Sequence, residues 1–174
     1  REYKNVLLVE QPNTDFAYTI VRQFLFDVYH LLFLQELQNS KDETLVAIAK
    51  KSIKEVSYHE RFSTDWVVRL GDGTEESHQR IQNAVSALWT YTEELFQQTE
   101  ADKAMVEVGI GVDVTLLKEA YFAKVNSVLD NATMEIPESK WFQKGGKNGV
   151  HTEHLGYLLA DMQFMQRTYP NMEW

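Results

Sequence analysis

The chain has 174 residues, of which 44% are hydrophobic and 25% charged, and its formal net charge is -9. This length allows one domain with a sizeable core, and the negative charge argues against nucleic acid as a partner because phosphate backbones select basic surfaces. The chain contains no cysteine, which excludes disulfides, thiolate metal sites and cysteine nucleophiles.

The first two predicted helices are long. Helical periodicity predicts the first over about residues 15–37, with an apolar stripe of Ile20, Phe24, Leu31 and Leu34. Ser40 and Glu43 have the spacing of a capping box, which predicts the start of the second helix. This helix is expected to reach about Leu70 and to stop at the Gly-Asp-Gly sequence 71–73, which offers a C-cap glycine.

Three more helices follow, separated by loops. The third is predicted over about residues 75–98, with an inner face of Ile81, Val85, Leu88, Thr92 and Leu95. Gly109 and Gly111 interrupt the pattern, and Asp113 can cap a fourth helix. The inner face of the fourth helix consists of Leu117, Tyr121, Val125 and Val128. A last helix is predicted over about residues 151–169, with an inner face of Leu155, Leu158, Leu159 and Met162.

No alternating strand pattern, internal repeat or linker interrupts this order of helices. The sequence therefore indicates a single all-α domain over residues 1–174, and long antiparallel helices are typical of a bundle. No signal peptide and no apolar run long enough for a bilayer is visible, so we expect a cytoplasmic protein without membrane contact.

Four polar residues lie on apolar stripes of the two long helices. Asp27 lies on the stripe of the first helix, and His30 follows three residues later. Glu55 and His59 share a stripe of the second helix. The apolar members of that second stripe are Ile48, Phe62 and Trp66. Because a buried carboxylate is costly unless it is paired or bound to metal, we expect the four residues to form one buried polar cluster.

This cluster admits two interpretations. A carboxylate-bridged di-metal site takes a glutamate from each of two helices and Glu-x-x-His from each of two others. Here Val56, which has no ligand atom, stands three residues before His59, and Glu93 and Glu94 are exposed by pattern. A metal-free hydrogen-bonded or ionic cluster is therefore favoured over a metal site. No catalytic residue is predicted, because neither a Ser-His-Asp order nor a nucleophile elbow is present.

Two features near the end of the chain also have alternative interpretations. His151 and His154 could chelate a metal, but no third ligand has suitable spacing, so a helix N-terminus without metal is favoured. The glycine-rich stretch 144–149 could cradle a phosphate with backbone N–H groups, Lys144 and Lys147. A flexible loop with solvated lysines is favoured there, because no Ser or Thr follows the lysine as it does in a P-loop.

Several stretches together resemble one protein family. They are NVLLVEQPN at 5–13, DFA at 15–17, FDVYH at 26–30, KEVSYH at 54–59, GGKNGVHTEHLG at 145–156 and MQFMQR at 162–167. Through them the chain resembles, over essentially its whole length, the C subunits of bacterial phenylacetyl-CoA epoxidases, which are multicomponent ring-epoxidising monooxygenases.

The resemblance implies a ferritin-like helical fold with further helices before Asn5, so part of the bundle is expected to be absent from this chain. It also implies that the A subunit carries the di-iron centre and the substrate pocket, that a B subunit bridges the assembly and that a reductase supplies electrons. The C subunit has lost the ligand set and supports the A subunit.

For this chain the resemblance implies neither a cofactor nor a metal of its own. The residues that it implies to be the relic of a metal site are Asp27, His30, Glu55 and His59. In the complex, Lys144 and Lys147 would lie near the anionic CoA end of the substrate.

Three functions are consistent with these features. The first is a non-catalytic structural subunit of the phenylacetyl-CoA epoxidase complex in aerobic phenylacetate breakdown. The second is a di-iron or metal-binding oxygenase in its own right, and the third is a ferritin-like binding module without an oxygenase partner. A surplus of large aromatic side chains on the first helix, together with Trp66, predicts an interface. We expect the chain to self-associate when alone and to pair with the A subunit when that is present.

Overall fold

The computed structural model describes residues 2–173, and this part of the chain contains helices and connecting turns but no β-strand. The α-helices are α1 (Phe16–Leu37), α2 (Glu43–Gly71), α3 (Glu75–Leu88), α4 (Glu100–Glu107), α5 (Lys118–Asn131), α6 (Glu153–Met162) and α7 (Phe164–Thr168). Short 3-10 turns lie at Leu7–Glu10, Trp89–Tyr91, Glu93–Phe96, Val114–Leu117 and Gly146–Asn148. The predicted all-α class is confirmed. None of the described helices combines the length and the apolarity that crossing a bilayer requires.

The central element is α1, which packs against α2, α3 and α5. Because α1 and α2 are joined by the short connection 38–42, they form an antiparallel hairpin. The predicted stripe of α1 is confirmed, since Ile20, Phe24 and Leu34 are buried and Leu31 packs against the same core. In contrast, α2 buries only a narrow stripe, which consists of Ala49, Val56, Ser63, Val67 and Gly71. One face of α1 therefore meets α2, and other parts of its surface meet α3 and α5.

The start of α2 differs from the prediction. Asp42, and not Ser40, is the N-cap residue, and its Oδ1 accepts hydrogen bonds from the N–H groups of Thr44 and Leu45 at 2.8 and 3.1 Å. The Ser40 hydroxyl instead donates to the carbonyl of Ile110 at 2.8 Å. The predicted capping box is thus wrong, because a contact distant in sequence takes the hydroxyl that would have capped the helix.

The end of α2 also differs from the expected glycine cap. Gly71 is the last helical residue, and the C-cap is Asp72 with a negative φ of -89°. A Cβ added to Gly71 would lie only 2.3 Å from the carbonyl oxygen of Ala132, which follows α5. The glycine is therefore required for the close approach of two helix ends, and not for a left-handed backbone.

We expect Gly71→Ala to lower the free energy of unfolding by about 1–3 kcal/mol, because the backbone of Ala132 has to move away. Gly156 in α6 is a matched control, since a Cβ there meets nothing within 4 Å. Gly156→Ala should be neutral or stabilising by up to about 1 kcal/mol through its helix propensity. Urea unfolding of both variants tests this, and equal midpoints would contradict the close-packing argument.

The third predicted helix is shorter than expected but its inner face is correct. Its α-helical part ends at Leu88, and the chain continues to Phe96 as two 3-10 turns. The Thr92 hydroxyl donates to the carbonyl of Trp89 at 2.8 Å, and such local bonds compete with a regular helix. All five predicted inner residues are buried: Ile81, Val85, Leu88, Thr92 and Leu95.

Of the next two helices, α5 was predicted from the sequence and α4 was not. The predicted inner residues of α5 and of the turn before it are all buried: Leu117, Tyr121, Val125 and Val128. Asp113 caps the 3-10 turn Val114–Leu117, and not α5 itself as predicted, by accepting from the N–H of Thr115 at 3.0 Å. No residue of 100–107, a range that the structure describes in full, is buried. Helix α4 therefore has no apolar stripe by which sequence periodicity could reveal it.

The last predicted helix is divided into α6 and α7, which we name the C-terminal arm. Of the four residues predicted to point inward, only Leu155 is buried. Leu158 is 42% exposed and Met162 is 67% exposed, so this predicted inner face is wrong. The physical reason is that α6 meets the rest of the described chain mainly at the turn Leu7–Glu10 and leaves its other sides uncovered.

Candidate functional site

The carboxylate of Asp27 is the deepest of the predicted site residues, with 1% of its surface exposed. The side-chain amide of Gln23 donates to its Oδ1 at 2.6 Å, and the hydroxyl of Ser63 donates to its Oδ2 at 2.9 Å. Ser63 belongs to the buried stripe of α2. The bond from Ser63 to Asp27 therefore joins α1 to α2 through a satisfied polar contact inside an apolar interface. We call Gln23, Asp27 and Ser63 the Asp27 cluster.

His30 lies half-buried beside this cluster, one turn after Asp27. Burial raises the pKa of Asp27, against the opposing effects of the hydrogen bonds from Gln23 and Ser63. Burial lowers the pKa of His30, against the opposing charge of Asp27. In both groups the cost of removing a charge from water exceeds the attraction between the two side chains. The environment makes the charged form of each side chain less favourable than it is in water and does not build a strong ion pair.

We expect Asp27→Asn to stabilise the protein relative to the wild type, and increasingly so as the pH rises. Because the folded-state pKa of Asp27 is raised above 3.8, its contribution to stability is fully present below that value. The contribution is lost as the pH rises through the raised pKa. Asparagine carries no charge to bury, and the Ser63 hydroxyl can turn to the carbonyl of His59 at 3.0 Å.

The free energies of unfolding of both proteins, measured between about pH 4 and pH 7, test this expectation. The difference between them should grow across this range. A difference that does not change with pH would show that Asp27 is not desolvated. Asp27→Ala serves as the control for lost hydrogen bonds and should be less stable than Asp27→Asn at every pH, by about 1–3 kcal/mol.

Glu55 and His59 do not join this cluster. Their side chains are 77% and 45% exposed, and His59 Nε2 lies 3.9 Å from Glu55 Oε1, which is a weak surface pair. The prediction of one buried cluster of four residues is therefore wrong for these two. The reason is the rotation of α2: the stripe that meets α1 contains Val56 and Ser63, and the predicted stripe with Ile48 and Phe62 lies largely on the outer side.

A buried carboxylate that the sequence did not reveal is Glu94, whose exposed fraction is 0%. It accepts three backbone N–H bonds, from Leu7 at 2.6 Å, from Gly145 at 2.8 Å and from Gly146 at 2.7 Å. Gly145 has a φ of 137°, a conformation that favours glycine. We call this arrangement the Glu94 clamp. It joins three segments that are distant in sequence, and it corrects the prediction that Glu94 is exposed.

The Glu94 clamp occupies the backbone groups that were predicted to cradle a phosphate. The Nζ of Lys147 donates to the carbonyl of Gln97 at 2.6 Å, so the ammonium group of this lysine already forms a hydrogen bond within the protein. Burial lowers the pKa of Lys147, while Asp102 and Glu94 oppose the shift. Lys144 is exposed. The favoured prediction of a flexible loop with solvated lysines is therefore wrong for Lys147, and the backbone N–H groups of Gly145 and Gly146 bind the carboxylate of Glu94.

Another buried carboxylate, that of Glu10, lies close to the predicted histidine pair. Glu10 is 3% exposed, and its Oε1 accepts from the N–H of Thr152 at 3.1 Å. His151 Nδ1 lies 3.3 Å from Glu10 Oε2, and His151 Nε2 lies 2.8 Å from the carbonyl of Tyr3. His151 therefore ties the N-terminal segment to the start of α6. His154 lines a separate surface cavity together with Arg22.

The arrangement of these side chains does not fit a di-iron centre. Within residues 2–173, no group of three or more histidine, aspartate or glutamate side chains is placed to hold a metal ion. The position three residues before His59 is occupied by Val56, whose side chain is buried in the core. Both oxygens of Asp27 already accept hydrogen bonds. Fold and site together define a helical-bundle protein whose buried polar residues join helices and loops.

Comparison with known proteins agrees with this class. A family model described as "Phenylacetic acid catabolic protein" matches residues 1–174. The C subunit of 1,2-phenylacetyl-CoA epoxidase from Escherichia coli (strain K12) is 47% identical to the chain over 174 residues, which are 100% of this chain and 70% of that protein. The chain belongs to the phenylacetic acid catabolic protein family, and the resemblance drawn from the sequence is confirmed.

Proposed function

We propose that the chain is a non-catalytic structural subunit of a 1,2-phenylacetyl-CoA epoxidase complex that acts in aerobic phenylacetate catabolism in the cytoplasm. Its task is to support a catalytic A subunit, which holds the di-iron centre, beside a bridging B subunit. The observation that carries the proposal is the buried Val56 at the position where a Glu-x-x-His motif needs a ligand. The 47% identity to a C subunit gives the complex in which such a chain would serve.

The uncovered apolar surface supports a role in assembly. On the outer side of α2, Tyr58 and Phe62 stack with ring centroids 6.2 Å apart, and both are exposed. On the C-terminal arm the exposed large apolar residues are Tyr157, Leu158, Met162, Phe164 and Met165. Large exposed apolar patches mark interaction sites. Of the predicted aromatic surplus on α1, Phe24 is buried, and Phe26, Tyr29 and Phe33 are half-buried. The partner faces that we propose therefore lie on α2 and the arm.

We expect the purified chain to contain far less than one iron per molecule, and the complex with the catalytic subunit to contain iron only in that partner. Elemental analysis of the chain alone and of the complex, combined with size measurement, tests both parts of the proposal. A chain that carries about two irons and reacts with oxygen would be an oxygenase in its own right. An iron-free chain that does not associate with the catalytic subunit would contradict the supporting role. Self-association of the chain alone, which we also propose, is read from the same size measurement.

A further inference from the structure

A cavity of about 350 Å³ lies between α1, α4 and the loop that follows α4. Ligand-binding cavities of proteins begin at roughly 300 Å³, so the space suits a molecule with one ring. Most of its wall is apolar and comes from Tyr29, Phe33, Leu37, Leu45, Met105 and Val112. None of the three residues of the Asp27 cluster lines this cavity.

The polar part of the wall consists of Tyr29, Asp102 and Lys147. The charge of Asp102 affects the pKa values of both Tyr29 and Lys147. Burial, and after it the charge of Asp102, raises the pKa of Tyr29 to about 12. Burial lowers the pKa of Lys147, and the charge of Asp102 opposes this shift. Asp102 Oδ2 accepts from the N–H and the hydroxyl of Thr99 at 2.8 and 2.9 Å, which leaves Oδ1 as an acceptor for a ligand. The Tyr29 hydroxyl stays protonated at neutral pH and can donate or accept.

Helix α4 covers this cavity and is joined to other segments just before and just after its ends. The carbonyl of Gln97, ahead of α4, accepts from the Nζ of Lys147 at 2.6 Å, and the Lys41 N–H donates to the carbonyl of Gly109, just after the C-terminus of α4, at 2.9 Å. Between these points none of its fully described residues 100–107 is buried. A short helix with little buried surface opens at low free-energy cost, so it can admit a small molecule.

We propose that this cavity binds a small neutral aromatic molecule with one hydroxyl group, such as a phenol or an aromatic alcohol. The ring would lie among the apolar side chains beside Tyr29 and Phe33, and the hydroxyl would lie between the Tyr29 hydroxyl and the Asp102 carboxylate. The Nζ of Lys147 already donates to the carbonyl of Gln97, so the wall offers no free cation to a carboxylate ligand. A carboxylate ligand would in addition be repelled by Asp102. This inference does not depend on the proposed function.

Phenol is the probe that tests the proposal, and the methionine methyl groups are the reporters. In protein labelled with ¹³C at the methionine methyls, phenol should shift the Met105 signal in a saturable way, with a dissociation constant on the order of millimolar. The exposed Met162 on the arm should not respond and serves as the internal control. Toluene, which lacks the hydroxyl, should bind more weakly, and benzoate should not bind.

Two test variants and one control variant distinguish specific binding in the cavity from nonspecific binding elsewhere. Ile110→Trp fills the cavity from its half-exposed edge and should abolish the Met105 shift, whereas Ile136→Trp, at a 40% exposed position elsewhere, should not. Tyr29→Phe should weaken phenol binding about fivefold and leave toluene binding unchanged, because it removes one hydrogen bond. Absence of a saturable Met105 shift, equal binding by Ile110→Trp, or stronger binding of benzoate than of phenol would each overturn the proposal.

Discussion

Replacing Glu94 by Gln should lower the free energy of unfolding by about 3 kcal/mol or more, because a buried group that accepts three N–H bonds is lost. Glutamine keeps the volume but offers one acceptor oxygen, and its NH₂ group faces an N–H donor where the carboxylate had an acceptor. We expect the loop 144–149 and the N-terminal segment to loosen together. Denaturant unfolding and hydrogen exchange at the amides of Leu7, Gly145 and Gly146 measure the two effects.

The neighbouring Glu93 is a matched control. Its carboxylate forms an ion pair with Lys118 at 2.7 Å, and the two side chains are 29% and 46% exposed. Glu93→Gln should therefore change the free energy of unfolding by less than about 1 kcal/mol. If Glu94→Gln were as mild as Glu93→Gln, the clamp would contribute little to stability, and the loop would have to be held by other contacts.

Replacing Leu158 and Met162 together by Ser should weaken the proposed association with a catalytic subunit at least about tenfold, since apolar anchors at interface centres often cost more than 1 kcal/mol each. The two helices of the arm are short. Isolated helices shorter than about 12 residues are marginal in water, yet α6 and α7 have 10 and 5 residues. Leu155 is the only residue that they bury within the described chain. Packing against another subunit would supply the missing stabilisation.

The control for this variant is Leu116→Ser, because Leu116 is an apolar residue with 76% exposure in the turn before α5. Size measurement and titration with the catalytic subunit should show unchanged association for Leu116→Ser and weaker association for the double variant. The double variant should keep its stability as an isolated chain, since neither residue is buried there. Unchanged association of the double variant would remove the arm from the interface.

The fold could be predicted from the sequence where a helix buries a broad stripe. The inner faces of α3 and α5 and most of that of α1 were assigned correctly, because several large apolar residues repeat at helical spacing. For α2 the wrong face was predicted to point inward. The helix meets α1 through small residues such as Ala49 and Ser63, and its larger residues Phe62 and Ile48 point outward. A rule that places large apolar residues inside selects the wrong side of such a helix.

The candidate site was only partly accessible to sequence reasoning. The burial of Asp27 was predicted correctly, because a carboxylate on an apolar stripe is a signal that the local sequence contains. Its partner Ser63 was not found, since a serine on the narrow stripe of α2 shows no local sign of a contact with α1. Glu94 was missed for the same reason. Its donors lie 87, 51 and 52 residues away in sequence, so only the folded chain brings them together.

The buried carboxylates of Glu94 and Glu10 have a consequence for the order in which the chain can fold. Glu94 and Glu10 both accept N–H bonds from the stretch 145–152, which is synthesised well after either of them. The bond between His151 and Tyr3 closes a loop of 148 residues, and such long loops form late because closing them costs chain entropy. During synthesis the helices α1–α3 can pack first, while Glu94 and Glu10 still lack the N–H donors of the stretch 145–152. The ribosome therefore has to release the stretch 145–152 before this side of the core can close.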